Sequence, residues 1–423
     1  MDEEVTTESR KETEVAPALI AVHPTGHHIA VAVGPELRIF NLLNNSAVSL
    51  HDDSISGDNH FHKDNIRAIR FGAKGKLFVS AGDDKTLKIW SAESWHCILT
   101  VSSEKRVTAV AISNDGLYVC FADKFGLVWV VDLNQTSIDK KPTPLLSHYC
   151  SIITSLEFSP DNRFIISADR DFKIRVTNFP KNPLNGAHEI QSFCLGHTEF
   201  VSCLAFVPAQ ESPHSLLLSG SGDSTVRLWD ISSGALLDTC EVAVKAGLLE
   251  SNDNTEEHGH AVTDLCTTLD GLLVAVAIQS LRGIVLLSYN VSAQTLSVAK
   301  VVSIAGDTFV PTCLANSPPT RELWMVTGVS SLPGYDYPSL ARVLVISGID
   351  ADQEPVVLGD DKIPGGVKLL ETLQGTAAVD DNAFSVAAEA VKAAMCNLLI
   401  KKQYPFENRE YRKKTRNDRK LKE

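Results

Sequence analysis

The sequence predicts an all-β chain, a seven-bladed β-propeller extended by a C-terminal helix and a basic tail, and three observations predict it. A motif recurs, SAGDDKTLKIWS at 80–91 and SGSGDSTVRLWD at 219–230. Ahead of each copy, apolar residues alternate with polar ones and break at Gly, Asp or Asn turns, which is the hairpin signal. The units also recur at the spacing of a propeller blade, four short strands in about 40–45 residues.

The motif copies set the register. Ser80/Ser219, Asp84/Asp223, Thr86/Thr225 and Trp90/Trp229 coincide. Two copies are weaker: Asp123 precedes Trp129 by the same interval, and Ser167–Asn178 keeps Ser167 and Asp171 but puts Thr177 in the Trp place. The hairpins ahead of them are Ile66–Phe71 with Leu77–Ser80, and Ile153–Phe158 with Phe164–Ser167. A histidine precedes the first strand at His62, His148 and Gly196-His197, and Trp229-Asp230 closes the best copy, so the units read as WD repeats. The blades centre on 16–43, 61–100, 103–134, 145–193, 194–240, 258–300 and 301–348, the last two assigned by strand periodicity alone. No ring-closing strand is evident. Polar, turn-rich insertions at Asn44–His60, Pro180–Gln191 and Glu241–Glu257 read as surface loops.

The expected organisation is an acidic disordered segment at 1–15, a propeller over 16–350, a helix over 376–403 and a basic tail over 404–423. Phe384, Ala388, Val391, Met395 and Leu398 give the helix one apolar face, Asp380 and Asp381 sit at its N-cap, and Pro405 stops it.

Composition narrows the function. The chain has 423 residues, 44% apolar and 22% charged, which excludes collagen-like and wholly disordered classes. A net charge of −13 excludes a nucleic-acid-binding coat over the whole chain. Residues 401–423 carry ten Lys/Arg against four Asp/Glu, so the rest is near −19. The nine cysteines show no CxxC and no zinc spacing, as expected of free thiols in a reducing compartment. The acidic N-terminus lacks a signal-peptide core, and the longest apolar stretch, Leu272–Tyr289, is too interrupted to span a bilayer.

His197, Ser219, Asp223 and Trp229 imitate a catalytic set, but the same set recurs at His62, Ser80, Asp84 and Trp90, so a structural hydrogen-bond network is expected. Gly220-Ser-Gly222 echoes a dinucleotide loop without the third glycine or a following helix. No catalytic or metal-binding residues are assigned. The anomaly lies in blade four. Aligned on Ser167/Ser219, Asp169 and Arg170 replace Ser221 and Gly222, and Phe172 and Lys173 replace Ser224 and Thr225. This turn is either a solvated charged turn or an ion-pair site for a protein partner, with the Arg170 fork exposed at the rim. In the tail, Arg409, Arg412, Lys413, Lys414, Arg416, Arg419 and Lys420 lie near Tyr404, Phe406 and Tyr411. They read as a solvated tail or a nuclear localisation signal, as RNA phosphate contacts, or as both together, and a nuclear protein is expected.

The stretch Pro160–Val176, with ADRD followed by KIRV, and then SFCLGHTEFVS at 192–202, resembles one family: the WD-repeat non-catalytic subunit of the tRNA (guanine-N7-)-methyltransferase. The resemblance implies a separate catalytic chain that binds S-adenosylmethionine and methylates N7 of a guanosine in the tRNA variable loop. The WD chain would hold no cofactor, stabilise that partner as a heterodimer and help position tRNA. It further implies that the blade-four turn pairs with acidic residues of the partner, through Arg170 and Lys173 and more weakly Asp169 and Asp171. The competing readings are a general WD scaffold, such as a ubiquitin-ligase substrate receptor or a ribosome-assembly factor, and, more remotely, a propeller enzyme.

Overall fold

A computed structural model describes residues 15–52, 61–134, 141–149, 151–208, 216–248, 260–304, 309–332, 340–349, 354–375 and 381–399. Seven four-stranded antiparallel sheets follow one another along the chain, each built from consecutive strands. They run from Leu19 to Ala47, Ile66 to Ser102, Val107 to Ser147, Ile153 to Leu195, Val201 to Glu241, Val262 to Ser303 and Cys313 to Val357. The seventh blade therefore ends beyond residue 350, and the third keeps Thr143–Ser147 as its outer strand.

One such sheet cannot bury both faces by itself. The apolar core is accordingly a set of wedges, each shared by two blades. Leu87, Ile89 and Val101 of blade two meet Val107, Val110 and Val119 of blade three. Leu218, Val226 and Leu228 of blade five meet Val262, Val274 and Val276 of blade six.

Hydroxyls of blades four to seven fasten each of these blades to the next. In blades two to six the inner strand bulges at its second residue, Arg67, Thr108, Thr154, Ser202 or Thr263. Thr154 Oγ1 donates to Val201 O at 2.5 Å and Ser202 Oγ to Val262 O at 2.5 Å. Thr312, just before the inner strand of blade seven, donates to Ala18 O at 2.7 Å.

The ring closes without a shared strand. Ala16–Ala18, ahead of the first inner strand, bridge to the second strand of blade seven: Ala18 N donates to Gly328 O and Ser330 N to Ala16 O, both at 2.9 Å. Gly328 has φ +155, and a Cβ there would sit 2.0 Å from Leu340 O, so the approach needs glycine. The outer strands of blades one and seven, Ser46–Ala47 and Val356–Val357, are short. A four-residue helix, α1 (Val242–Lys245), follows blade five, and α2 (Gly366–Gln374) covers the blade-seven/blade-one wedge with Leu369, Leu370 and Leu373. Sequence periodicity did not reveal α2, because nine residues offer barely two turns.

The described parts of the insertions pack back on the ring; residues 53–60 of the first lie outside the described residues. Ala187, in Pro180–Gln191, is buried and donates to Leu145 O at 2.7 Å. In the first insertion, Asp52 forms a buried ion pair with Lys88 of blade two at 2.5 Å. The last residues of the third insertion lie outside the described residues.

Helix α3 (Asp381–Leu399) lies inside the expected 376–403; the flanking positions, including Asp380 and Pro405, fall outside the described residues. Its buried stripe is Ala383, Ala387 and Val391 against Val329, Leu332 and Leu340. Ala388 and Met395 face a cavity of about 330 Å³ at the propeller axis, shared with Arg106, Lys124 and Ile152. The apolar face is thus broader than the expected one, because the helix rests on blade seven and on the channel mouth together. Phe384 and Leu398 carry no described side-chain environment. Among the described residues no helix is long and apolar enough to cross a membrane.

Leu373 is fully buried under the closure. Leu373→Ala is expected to cost about 2–5 kcal/mol in urea unfolding of the full chain. A loss below about 1 kcal/mol would show that α2 does not hold the ring shut.

Candidate functional site

In a four-stranded meander, the loop entering the inner strand and the turn between the second and third strands share one face. On that face the histidine loops meet the Asp turns. In blade five, His197 Nδ1 lies 2.8 Å from Asp223 Oδ2, His197 Nε2 lies 2.7 Å from Ser219 Oγ, and Trp229 Nε1 donates to Ser219 Oγ at 2.8 Å. With a neutral ring, Ser219 accepts from Trp229 and donates to Nε2, leaving Nδ1–H to donate to the carboxylate. Blade two repeats this with His62, Asp84, Ser80 and Trp90 at 2.8–3.0 Å. These groups are buried and mutually satisfied, so the set is structural. Gly220–Gly222 leads into a strand, Thr225–Asp230, and not into a helix.

Blade three departs from the expected register. Asp123 ends the second strand, where blade two has Gly82, and Trp129 is the third residue of its strand, whereas Trp90 is the fifth. Trp129 Nε1 still donates to Asp123 Oδ2 at 3.2 Å, but this pair does not correspond to Asp84 and Trp90.

Blade four corrects the reading of its carboxylates. Asp169, not Asp171, binds the histidine: His148 Nδ1 lies 2.9 Å from Asp169 Oδ2 and His148 Nε2 2.7 Å from Ser167 Oγ. Asp169 is 1% exposed and also accepts from Lys173 N at 3.1 Å. A carboxylate at the end of the second strand reaches the histidine directly, so Asp169 is a structural residue and drops out as a partner contact. Asp171, in the turn, is half-buried.

The rest of the turn is built for display. Arg170 N donates to Ile152 O at 2.9 Å, fixing the backbone. The Arg170 side chain is half-buried and not fully exposed; its Nε is buried and makes no hydrogen bond. Phe172 has φ +70 and is 36% exposed, and Lys173 is exposed. Neighbouring loops continue the surface. His148 N donates to Gly126 O at 2.7 Å, which sets Tyr149 beside the blade-three turn carrying Phe125, and Lys173 pairs with Leu195. Tyr149, Phe125 and Leu195 are 93%, 62% and 60% exposed. Sequence reading missed these three; the available signal was a large apolar residue in a turn or loop for Phe125 and Tyr149, and at a strand end for Leu195. The tail cations Arg409, Arg412, Lys413, Lys414, Arg416, Arg419 and Lys420 lie outside the described residues, but α3 ends at Leu399 beside the channel mouth on this face.

Comparison with known proteins places the architecture. A model described as the tRNA methyltransferase TRM82 WD40 domain matches residues 134–320, which include the charged turn, and a WD domain, G-beta repeat model matches 57–91. The Xenopus laevis protein named tRNA (guanine-N(7)-)-methyltransferase non-catalytic subunit wdr4 is 32% identical over 287 residues, 67% of each chain. The chain belongs to this family of WD-repeat non-catalytic subunits. The Danio rerio relative of the same name is 37% identical over 250 residues, 58% of this chain. The match spans 56% of the zebrafish relative and 45% of the Mus musculus one. A solved structure of U3-55K aligns with a TM-score of 0.60 over 78% of this chain and 95% of its own; at 17% identity it shows the fold alone.

The network predicts the acid response of the family fold. Burial pushes the Asp223 carboxyl up, but the hydrogen bond and charge of His197, with donors from Thr225 and Thr198, outweigh it and hold it at about 2. A depressed folded value stabilises the protein above the unfolded value of 3.8 and is lost as pH falls toward about 2. Asp223→Asn is expected to flatten stability against pH between those limits in acid titrations followed by circular dichroism. An unchanged acid limb would place the sensitivity elsewhere.

Proposed function

We propose that this chain is the non-catalytic partner in a tRNA (guanine-N7-)-methyltransferase heterodimer. It binds and stabilises the catalytic subunit, which holds S-adenosylmethionine, and helps position tRNA for N7-methylguanosine formation in the variable loop; the site of action is the nucleus. Family membership supports the reading, and the observation that carries it is Arg170. A guanidinium replaces glycine in a repeated tight turn, its backbone is anchored, and its Nε is buried with no hydrogen-bond acceptor in the isolated chain. A buried donor without an acceptor costs about 1–3 kcal/mol, which a carboxylate from a second chain would recover. Lys173, exposed on the same turn, adds charge, and Asp171 lies beside them.

Arg170→Ala is expected to lower co-purification of the catalytic subunit and N7-methylguanosine in tRNA. If complementation buries the pair, the loss amounts to about 3–5 kcal/mol; an exposed pair would give about 0–1. Intact copurification and methylation would remove Arg170 as an anchor. In cells lacking this chain, nucleoside mass spectrometry of bulk tRNA should show loss of N7-methylguanosine, restored by the wild-type chain. An unchanged level would leave the general-scaffold reading.

The tail is proposed to add phosphate contacts to an otherwise acidic chain. Deleting 406–423 is expected to weaken tRNA binding by the complex and to flatten its dependence on salt, as counterion release requires. Equal affinity and slope would refute this role.

A further inference from the structure

The turn that carries Arg170 also holds a strained aromatic residue. At the fourth turn position the chain takes positive φ in every one of blades two to five: Lys85 at +64°, Gly126 at +86°, Phe172 at +70° and Ser224 at +63°. Phenylalanine is poorly suited to this region, and holding a bulky residue there costs stability. Phe172 is 36% exposed, so part of the ring is left to solvent. Strain at a partly exposed aromatic residue marks a candidate functional surface.

Phe172 is not isolated. Phe125 and Tyr149 stand on adjoining turns and loops of the same face, and Leu195 ends the outer strand of blade four beside Lys173. Lys105, Lys124, Arg170 and Lys173 lie on the same turns and loops, together with the acidic Glu104, Asp171 and Glu199. Asp123 and Asp169 are buried by their own hydrogen bonds. In a chain of net charge −13, an acidic partner is repelled over most of the surface and is received here. The patch suits protein better than RNA. Leu195 is aliphatic and stacks on no base, and Lys105 Nζ already lies over the Phe125 ring, 5.2 Å from its centroid.

We propose that Phe172, with Phe125, Tyr149 and Leu195, is the apolar anchor of this face, and that it seats an apolar patch ringed by carboxylates on the catalytic subunit. This rests on the heterodimer reading and deepens it: Arg170 sets orientation, and the apolar centre supplies most of the affinity.

The test uses the full chain and the purified catalytic subunit. Phe172→Gly relieves the backbone strain while losing partly buried apolar surface and raising unfolded-chain entropy, so its melting temperature should stay within a few degrees of the wild type, while affinity for the catalytic subunit falls roughly 10- to 100-fold. The double variant Phe125→Ser/Tyr149→Ser, at exposed sites, should keep the wild-type melting temperature and show a similar loss. Both losses should persist between about 0.1 M and about 1 M salt, where the screening length falls from ~10 to ~3 Å. Wild-type affinity in both variants, with Arg170→Ala defective, would overturn the anchor and leave the heterodimer standing. Wild-type affinity in all three would overturn both anchors, the apolar one and Arg170, whereas no measurable affinity of the wild-type chain for the subunit would overturn the heterodimer. Unchanged affinity for the subunit with reduced retention of tRNA would assign the patch to RNA and overturn the proposal.

Discussion

Every apolar wedge in this molecule belongs to two blades, and the structure depends on that constraint. No blade buries its own faces alone, and the wedge between blades seven and one is buried only when the ring closes. Closure is also the hardest step, because it joins residues 16–18 to residues 328–330. The chain meets it with small contributions at one junction: a short backbone bridge, the Thr312 hydroxyl on Ala18 O, and α2 over the gap left by two short outer strands.

The same closure sets what stands on the face that carries the Arg170 turn. Helix α3 packs on Val329 and Leu340 at the closing blade and then crosses the channel mouth. The chain therefore leaves the described structure on the face that carries the Arg170 turn, and not on the opposite one. The bulges at Thr154 and Ser202 fix the blades around this turn through cross-blade hydrogen bonds. The turn is held from beneath by His148 and Asp169 and from the side by Ile152.

Most of the fold was legible because a repeat of strand pairs has a strong local signature. The Ser, Asp and Trp positions of blades two and five each pointed to their partners. The misreadings share a cause. Sequence spacing assigns a residue to a slot, whereas hydrogen bonding follows the reach of a side chain in space. Asp169 and Asp171 are both near the turn, and only the end-of-strand position aims a carboxylate at His148. Trp129 lies six residues after Asp123, yet two strand positions away from Trp90. Closure was invisible because residues 16–18 and 328–330 meet mainly through backbone groups, with only the Ser330 hydroxyl and Gly328 as residue signatures.

The physical logic of a non-catalytic subunit follows from how this face is held. Association costs entropy for every loop and side chain that must be ordered, and affinity improves when the surface is ordered in advance. The Arg170 turn has that cost removed on folding, since its backbone donates to Ile152 O and its flanking carboxylate is locked on His148. Folding in turn bears an unfavourable φ at Phe172 and a buried Arg170 Nε that makes no hydrogen bond. Both unfavourable features lie within three residues, on a turn where the other blades use Lys, Gly or Ser at the strained position. A sequence selected for stability alone would place a small residue there. Retaining Arg and Phe makes sense if the free energy withheld from folding is recovered on docking, and a rigid ring is the scaffold that can hold both side chains in place until it is.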